Sequence, residues 1–269
     1  MPPQAAYSLT APSRSDIFTG VNAIAIIPAR YASTRFPGKP LLRDTGKYLI
    51  QHVCEQVGRA RSIAEVIVAT DDERIAEAVQ SFGGRIAMTR ADHPSGTDRV
   101  AEVARGLDAE IIVNVQGDEP EIEPGNIDKL VGLLVDDPTV RIGTLACPFP
   151  PGADPTDPNA VKVVLDARGR ALYFSRSLIP YPRDTAGRPT TPGQWLLHLG
   201  IYAYRRPFLL DLAKLPPTPL EQREKLEQLR VLENGYTMAV GTVDKAAIGI
   251  DTPEDYAAFV ARCRAGAGR

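Results

Sequence analysis

The chain has 269 residues, of which 43% are hydrophobic and 24% are charged, and its 31 Lys and Arg residues nearly balance its 33 Asp and Glu residues. This composition is typical of a globular protein and excludes disordered and collagen-like chains. A net charge of −2 provides no general basic surface for nucleic acid or for an anionic membrane, so any anion-binding site must be local. We therefore expect no nucleic-acid partner and no membrane partner.

The cysteines and the first residues bear on the cellular compartment. Cys54, Cys147 and Cys263 are few and far apart, which argues against both a disulfide framework and a zinc site. No run of the sequence approaches the 18 or so apolar residues of a membrane span. Residues 1–20 lack the apolar stretch of a secretory signal. We expect a flexible N-terminal extension over residues 1–20 and a cytoplasmic protein.

Short apolar runs alternate with helical patterns through the first half of the chain. The predicted strands are Ala23–Ile27, Val66–Ala69, Arg85–Met88 and Ile111–Val115. Apolar residues at helical spacing follow these strands and predict helices that contain Leu49, Ile75, Val100 and Ile127. Continuous apolar strands that alternate with helices predict an α/β fold with a mostly parallel sheet covered on both faces.

The second half of the chain has a different pattern. The predicted elements are a hairpin of Val161–Leu165 and Ala171–Phe174, a mobile loop over Arg183–Gly193, strands at Leu199–Tyr204 and Thr237–Val243, one long helix over Leu220–Glu233 and a final helix capped by Thr252. Pro, Gly and Asp cluster between Pro148 and Pro158. We therefore predict two regions, 21–150 and 151–269, after the extension.

A basic loop follows the first predicted strand. Arg30, Arg35 and Lys39 lie within ten residues, with Ser33 and Thr34 between them. Ligands of open α/β sheets bind beyond the carboxyl ends of the strands, where these cations and hydroxyls would neutralise a polyphosphate. The spacing is not that of a Walker A loop. A solvated surface loop is the alternative.

Acidic residues follow other strands. Asp118, with Glu119 as second choice, comes directly after a buried strand, and Asp251 follows an apolar stretch. Magnesium in phosphate-binding sites uses one or two carboxylates of this kind, although turn formation or helix capping would also explain them. The segments Thr70–Asp72 and Ser95–Thr97 suit either contacts to a ligand or simple helix capping.

Polar residues in the second half are less specific. His198, Gly200 and Tyr202 alternate along one strand and share a face. Glu227 and Gln228 lie on the predicted long helix. A structural histidine and a solvated helix face are the alternatives to a binding role. Together with the basic loop and the acids at strand ends, this pattern indicates nucleotidyl transfer, which needs positioning and charge neutralisation more than a protein nucleophile.

Long motifs occur in order from about residue 21 to residue 260. They are IIPARYASTRFPGKPL (26–41), VATDDERIA (68–76), MTRADHPSGTDRVAEV (88–103), IIVNVQGDEP (111–120), NAVKVVLD (159–166), ALYFSR (171–176), HLGIYAYR (198–205), PLEQREKLEQLRVLENG (219–235) and GIDTPED (249–255). With these motifs the chain resembles the CMP-Kdo synthetases, the 3-deoxy-manno-octulosonate cytidylyltransferases. The resemblance implies a Rossmann-like nucleotidyltransferase fold with a smaller sugar-binding and dimerisation subdomain, a homodimer, and Mg²⁺ as cofactor.

The resemblance also implies roles for individual residues. CTP plus Kdo would give CMP-Kdo and pyrophosphate, and the product would enter lipopolysaccharide synthesis. The implied catalytic residues are Arg35, Lys39, Asp118 and Asp251, of which Asp118 and Asp251 would hold Mg²⁺. The implied nucleotide-binding residues, within region 21–150, are Ala29, Arg30, Ser33, Thr70, Asp71, Arg90, Gly96, Thr97 and Gln116. The implied sugar-binding residues, within region 151–269, are Arg176, His198, Tyr202, Glu227 and Gln228.

Several rival functions remain. Another acid sugar could replace Kdo: 8-amino-Kdo, because the segment Pro182–Gln194 does not match the family pattern, or sialic acid, against which the motifs HLGIYAYR and LEQLRVL argue. A catalytically silent nucleotide-binding regulator is a rival of another class, against which the presence of Arg35, Lys39, Asp118 and Asp251 argues. A structural or interaction protein is the third rival, and stabilisation by CTP with Mg²⁺ would distinguish it.

Overall fold

The chain folds around one large sheet with helices on both faces. The computed structural model describes residues 18, 20–32 and 36–267. Its nine strands are β1 (Ala23–Pro28), β2 (Ile63–Thr70), β3 (Arg85–Met88), β4 (Ile111–Asn114), β5 (Ile142–Pro148), β6 (Lys162–Leu165), β7 (Ala171–Ser175), β8 (Leu196–Arg205) and β9 (Ala239–Thr242). Its α-helices are α1 (Leu49–Val57), α2 (Glu73–Ser81), α3 (Gly96–Arg105), α4 (Pro124–Asp136), α5 (Arg206–Leu212), α6 (Pro219–Glu224), α7 (Leu229–Glu233) and α8 (Pro253–Ala267).

The sheet is mostly parallel, as predicted. The main path of hydrogen-bonded strands has the order β3-β2-β1-β4-β8-β5-β9, and the β6–β7 hairpin joins it through β8. Strand β8 runs antiparallel to both of its neighbours on this path, β4 and β5. The other strand pairs along the path are parallel. The predicted α/β class with a mostly parallel sheet is therefore confirmed.

Two apolar cores lie on the two faces of the sheet. One is formed with α1, α2 and α4, and the other with α3, α5, α7 and the β6–β7 hairpin. Strands β1 and β4 are buried almost completely, because both faces of the central sheet are covered. Helix α8 returns to the first region and packs Tyr256 and Phe259 against Leu49 of α1. This return brings the segment before α8 to the same end of the sheet as the loop after β1.

Each strand predicted in the first region is confirmed to within three residues at both ends, and each predicted helix contains the residue named for it. The predicted hairpin is also confirmed as the antiparallel pair β6–β7. Strand β5 and helix α5 lie outside the predicted elements. The boundary predicted at 150/151 falls in the connection between β5 and β6, and the predicted extension over residues 1–20 lies almost entirely outside the described residues.

The prediction of one long helix over Leu220–Glu233 is wrong. The segment forms two short helices, α6 and α7, which are separated by Lys225 in a left-handed backbone conformation, with φ 53° and ψ 45°. The helical apolar spacing continues across this break, so periodicity alone does not reveal it. The segment predicted as a mobile loop contains two short 3₁₀ turns, Arg183–Thr185 and Pro192–Gln194. Within the described residues no helix has both the length and the apolarity of a membrane span.

Candidate active site

A cavity of about 360 Å³ opens at the carboxyl ends of β1 and β4. It is lined by Pro28, Ala29, Arg30, Lys39, Pro40, Pro94, Ser95, Gly96, Gln116, Gly117 and Asp118. The residues come from the loops after β1 and β4 and from the start of α3. Ser95 caps α3 by accepting a hydrogen bond from the backbone N–H of Asp98, which leaves other N–H groups of the first turn for a ligand.

Arg30 and Lys39, near the two ends of the basic loop, line one side of this cavity. The Arg30 guanidinium is exposed, and its Nη2 donates to the carbonyl oxygens of His93 at 2.7 Å and Ser95 at 3.2 Å. At the other end of the loop, Gly38 has a φ of 72°, and its N–H donates to the Tyr31 carbonyl. A side chain at Gly38 would meet the Tyr31 ring at 3.3 Å. Glycine thus permits the tight closure that leads into Lys39.

Lys39 joins the two acids that the sequence predicts as metal ligands. Its Nζ lies 2.9 Å from Asp118 Oδ2 and 3.7 Å from Asp251 Oδ1, and it also donates to the Ile250 carbonyl at 2.5 Å. The backbone N–H of Ile250 in turn donates to the Asp118 carbonyl at 2.9 Å. Residues more than 200 positions apart in the chain are therefore held around one buried ammonium group.

Glu119, the second-choice acid, lies in a different environment. It lines a small apolar cavity together with Ile122, Leu145 and Ile201. Burial, together with the negative charge of Asp118, raises the pKa of the Glu119 carboxyl to about 8. A carboxyl group that stays protonated at neutral pH is a poor ligand for a cation, so Asp118 is the acid of this pair that suits one.

A second cavity, of about 200 Å³, adjoins the first. It is lined by Pro28, Gly96, Thr97, Asn114, Gln116, Ile142, Tyr202, Tyr204, Leu212, Glu227, Gln228 and Val231. Pro28, Gly96 and Gln116 line both cavities. The Gln116 side chain is fixed by the hydrogen bond that its Nε2 donates to the Gly200 carbonyl at 2.9 Å. Gln116 therefore stands at the boundary between the two cavities.

Burial raises the pKa values of the acidic side chains that line the second cavity. It raises the pKa of Tyr202 and of Tyr204, so both phenols stay protonated and available as hydrogen-bond donors. Burial also raises the pKa of Glu227, while hydrogen bonds from Thr97 and Ser95 act in the opposite direction. The cavity thus presents hydroxyl, amide and carboxyl groups in a partly enclosed space, an arrangement that suits a polyhydroxylated ligand.

The residues that line these two cavities lie within a segment of the chain that matches a known enzyme family. The family model described as Cytidylyltransferase matches residues 24–242, which include both cavities. The chain belongs to this cytidylyltransferase family.

Two curated relatives of this cytidylyltransferase carry the same name. The 3-deoxy-manno-octulosonate cytidylyltransferase of Syntrophotalea carbinolica is 54% identical over 245 residues, which cover 89% of this chain and 98% of the relative. That of Geobacter metallireducens is 56% identical over 237 residues, covering 86% of this chain and 93% of the relative. The family resemblance inferred from the motifs is therefore confirmed.

Solved structures agree with this assignment. The structure of CMP:2-keto-3-deoxy-manno-octonic acid synthetase complexed with CTP has a TM-score of 0.85 and 45% sequence identity, covering 91% of this chain and 99% of that one. A 4-diphosphocytidyl-2C-methyl-D-erythritol synthase from Anaerococcus prevotii has a TM-score of 0.58 at 15% identity, covering 94% of this chain and 99% of that one. The second likeness shows the fold alone.

The cytidylyltransferase brings most of the residues predicted for its site to the two cavities. Ala29, Arg30, Lys39, Gly96, Gln116 and Asp118 line the first, and Gly96, Thr97, Gln116, Tyr202, Glu227 and Gln228 line the second. Asp251 joins the first through Lys39. Ser33 and Arg35 lie outside the described residues.

Five of the predicted residues lie behind or beside the described cavity walls. Thr70 ends β2, and Asp71, the next residue, pairs with the fully buried Arg99 at 2.8 Å. The exposed Arg90 pairs with Asp92. His198 packs edge-on against Phe174, and Arg176 donates to backbone carbonyls instead of facing the second cavity.

The Lys39 cluster fits a magnesium ion. Asp118 and Asp251 offer carboxylate oxygens, the ligands that Mg²⁺ prefers, and both already lie within 4 Å of one cationic group. Within the described ranges no three His, Cys, Asp or Glu side chains are grouped to hold a metal ion by themselves. A pair of carboxylates is the donor set of magnesium sites in which substrate phosphate and water supply the remaining ligands.

The second cavity also contains residues that the sequence reasoning did not single out. Asn114 and Tyr204 line it, and the side chain of Asn114 is almost completely buried. Both carried a signal in the sequence. Asn114 is a polar residue inside an otherwise apolar strand, and Tyr204 lies two residues after Tyr202, on the same face of β8.

Proposed function

We propose that the chain transfers CMP from CTP to the anomeric hydroxyl of 3-deoxy-manno-octulosonate (Kdo), giving CMP-Kdo and pyrophosphate. The observation that carries this proposal is the shared wall of the two cavities. The first cavity carries basic and acidic groups that suit a nucleoside triphosphate, and the adjoining second cavity is polar and suits a sugar. Pro28, Gly96 and Gln116 line both cavities. The curated relatives that the chain matches along almost their whole length are named for this reaction.

The reaction is an in-line displacement at phosphorus. The C2 hydroxyl oxygen of Kdo attacks the α-phosphorus of CTP, and the bond from that phosphorus to the bridging oxygen of the β-phosphate breaks. Pyrophosphate leaves with the bonding electrons, and the hydroxyl proton passes to solvent. The protein needs no nucleophile of its own for this step, so its work is to align the two substrates and to offset negative charge.

The first cavity has the groups for the nucleotide. Arg30 and Lys39 bring positive charge to the phosphates, and the first turn of α3, with Gly96, offers backbone N–H groups. We propose that Arg35 and Ser33 add to this charge and hydrogen bonding, as the family resemblance implies. The position of Lys39 between two carboxylates lets its positive charge offset their mutual repulsion and keep them close together until the substrate arrives.

We propose that Asp118 and Asp251 hold Mg²⁺ during the reaction. When bound there, the ion would supply a Lewis acid for the α-phosphate and would favour ionisation of the attacking hydroxyl. Asp118 Oδ2 also accepts a hydrogen bond from Lys39 Nζ at 2.9 Å, so its carboxylate is oriented before any metal binds. Asp251 is the more exposed of the two, and its backbone N–H is fixed by Asp255 at 3.1 Å.

The second cavity has the groups for the sugar. We propose that Tyr202, Glu227 and Gln228 hydrogen-bond the hydroxyl groups of Kdo, while Gln116 lies between the sugar and the nucleotide. Because burial keeps the phenol of Tyr202 protonated, it acts as a donor to the sugar. His198 lies beside Tyr202, with ring centroids 5.6 Å apart, and supports its orientation.

We also propose a homodimer that works in the cytoplasm and supplies lipopolysaccharide synthesis. The family resemblance carries the pathway and the dimer. A surface of the chain supports the dimer: Leu172 lies on the hairpin strand β7 and is 61% exposed, and Tyr181 nearby in the sequence is 65% exposed. Contiguous patches of exposed apolar side chains are typical of interfaces between proteins, and we propose that Leu172 and Tyr181 belong to such a patch.

Transfer of a labelled phosphorus tests the proposed function. The chain is incubated with Mg²⁺, Kdo and CTP labelled at the α-phosphate, and the products are separated. We expect the label to move to a product that co-migrates with CMP-Kdo, with one pyrophosphate released for each transfer. Omission of Kdo is the control. Label that stays in CTP, or that appears only as CMP, would contradict the proposal.

A further inference from the structure

The left-handed turn at Lys225 sets the direction of the residues that face the second cavity. Lys225 has a φ of 53°, a conformation that side-chain-bearing residues rarely adopt. It ends α6, and the chain then passes directly through Glu227 and Gln228, which line the cavity, into α7. A continuous helix would turn these residues to other faces. The turn therefore needs anchors in the surrounding structure.

Glu224 fastens this turn to the end of β7. Its Oε1 accepts a hydrogen bond from Ser175 Oγ at 2.7 Å, and its Oε2 accepts one from the backbone N–H of Arg176 at 3.0 Å. Its carbonyl accepts from Arg176 Nε at 2.7 Å. Both the side chain and the backbone of the residue before Lys225 are thus fixed.

Lys162 holds the same junction from the other side. Its side chain is fully buried, and its Nζ donates to the carbonyls of Arg176 at 2.6 Å and Asp157 at 2.9 Å. Burial lowers the pKa of Lys162, while the charges of Asp157 and Glu224 act in the opposite direction. A buried ammonium group is costly, and an apolar residue would fill the space of this strand position at lower cost. The role of Lys162 is therefore the pair of backbone contacts that it makes.

We propose that Lys162 and Glu224 are positioning residues for the acid sugar: they clamp the backbone of Arg176 from both sides and so hold the Lys225 turn that directs Glu227 and Gln228 into the second cavity. This inference rests on the proposed function. Neither residue lines the first or the second cavity, so the clamp acts through Arg176 and the turn. Loss of the clamp then affects the sugar and leaves the nucleotide unaffected.

Steady-state kinetics with each substrate varied separately tests the clamp. Lys162→Met removes the ammonium group at similar volume, and Glu224→Gln replaces one of the two acceptor oxygens by a donor. We expect each to raise the KM for Kdo by roughly tenfold or more, since small misplacements of binding groups have effects of this size. The KM for CTP should stay within about twofold of wild type. Lys245→Met is the matched control, because Lys245 is 73% exposed and pairs with Glu123 beside α4, which packs on the other face of the sheet from the β6–β7 hairpin.

Different results would contradict the clamp and the proposed function. An unchanged KM for Kdo in both variants, or an equal rise in the KM values for Kdo and CTP, would overturn the clamp. Should Lys162→Met fail to fold, Glu224→Gln and the milder Ser175→Ala, which removes one hydrogen bond to Glu224, give the same two readings. If the wild-type chain transfers no CMP to Kdo, that result contradicts the proposed function itself, before any variant is compared.

Discussion

His198 allows a quantitative test of the environment beside the second cavity. Its ring packs edge-on against Phe174, with centroids 4.8 Å apart, and its Nε2 lies 3.0 Å from Thr144 Oγ1. The Thr144 hydroxyl donates its single proton to backbone carbonyls, the nearer being that of Ile201 at 2.8 Å, so His198 Nε2 is the donor to Thr144. Burial lowers the pKa of His198 to about 3. The histidine is thus neutral in the folded protein and cannot act as a cation for the acid group of the sugar.

The size of the effect follows from proton linkage. In the unfolded chain the histidine has its ordinary pKa of 6.5 and takes up a proton as the pH falls below that value, whereas in the folded protein it stays neutral down to about pH 3. The unfolded state therefore binds more protons in this window, and the free energy of unfolding decreases as the pH falls. Between pH 7 and pH 5 the decrease attributable to this one group is about 2 kcal/mol.

The variant His198→Gln isolates this contribution, because the glutamine amide can still donate to Thr144. Urea unfolding is followed by the fluorescence of the single tryptophan, Trp195, which is buried. Between pH 7 and pH 5, the wild type should lose about 2 kcal/mol more of its free energy of unfolding than the variant. Equal losses in the two proteins would refute the reasoning, since they would mean that His198 ionises in the folded state.

Three further predictions concern catalysis and assembly. Asp118→Asn should lower kcat by at least about 100-fold, because it removes one of the two carboxylates at the reacting phosphate. The control Asp211→Asn, at an exposed residue, should leave kcat unchanged. Near-normal turnover of Asp118→Asn would contradict the proposed catalytic role of Asp118. Lys39→Met should raise the KM for CTP by roughly tenfold, and unchanged kinetic constants would count against a contact with the nucleotide. Leu172→Asp should convert the proposed dimer to a monomer in sedimentation velocity, and a wild type that already sediments as a monomer would exclude the dimer.

Local sequence was sufficient to predict the elements that position the nucleotide cavity. Strands β1 and β4 are continuous apolar runs, and the topology of a parallel sheet places their carboxyl ends side by side. The loop containing Arg30 and the acid Asp118 were therefore both predicted at the ligand-binding end of the sheet, and the structure places both at one cavity. Asp251 lies more than 130 residues after Asp118, and its approach to Lys39 depends on the return of α8, which no local pattern encodes.

The sugar side was less predictable from local patterns. The break at Lys225 results from tertiary contacts of Glu224 with β7, and these contacts prevail over a helical apolar spacing that continues through the break. Arg176 shows the same limit. The family resemblance implies that Arg176 binds the sugar. In the structure its guanidinium instead donates to the backbone carbonyls of Glu224 and Pro158, which lie within its reach.

Pyrophosphate release is the most direct measurement of the central claim. The chain is supplied with CTP and Mg²⁺, and Kdo, 8-amino-Kdo or sialic acid is added in parallel reactions. Release with Kdo, and little with the other two sugars, is the expected result. Release with another sugar alone would retain the nucleotidyl transfer but contradict the assignment of the second cavity to Kdo. Binding of CTP without release in any reaction would contradict the account as a whole and would favour a nucleotide-binding regulator.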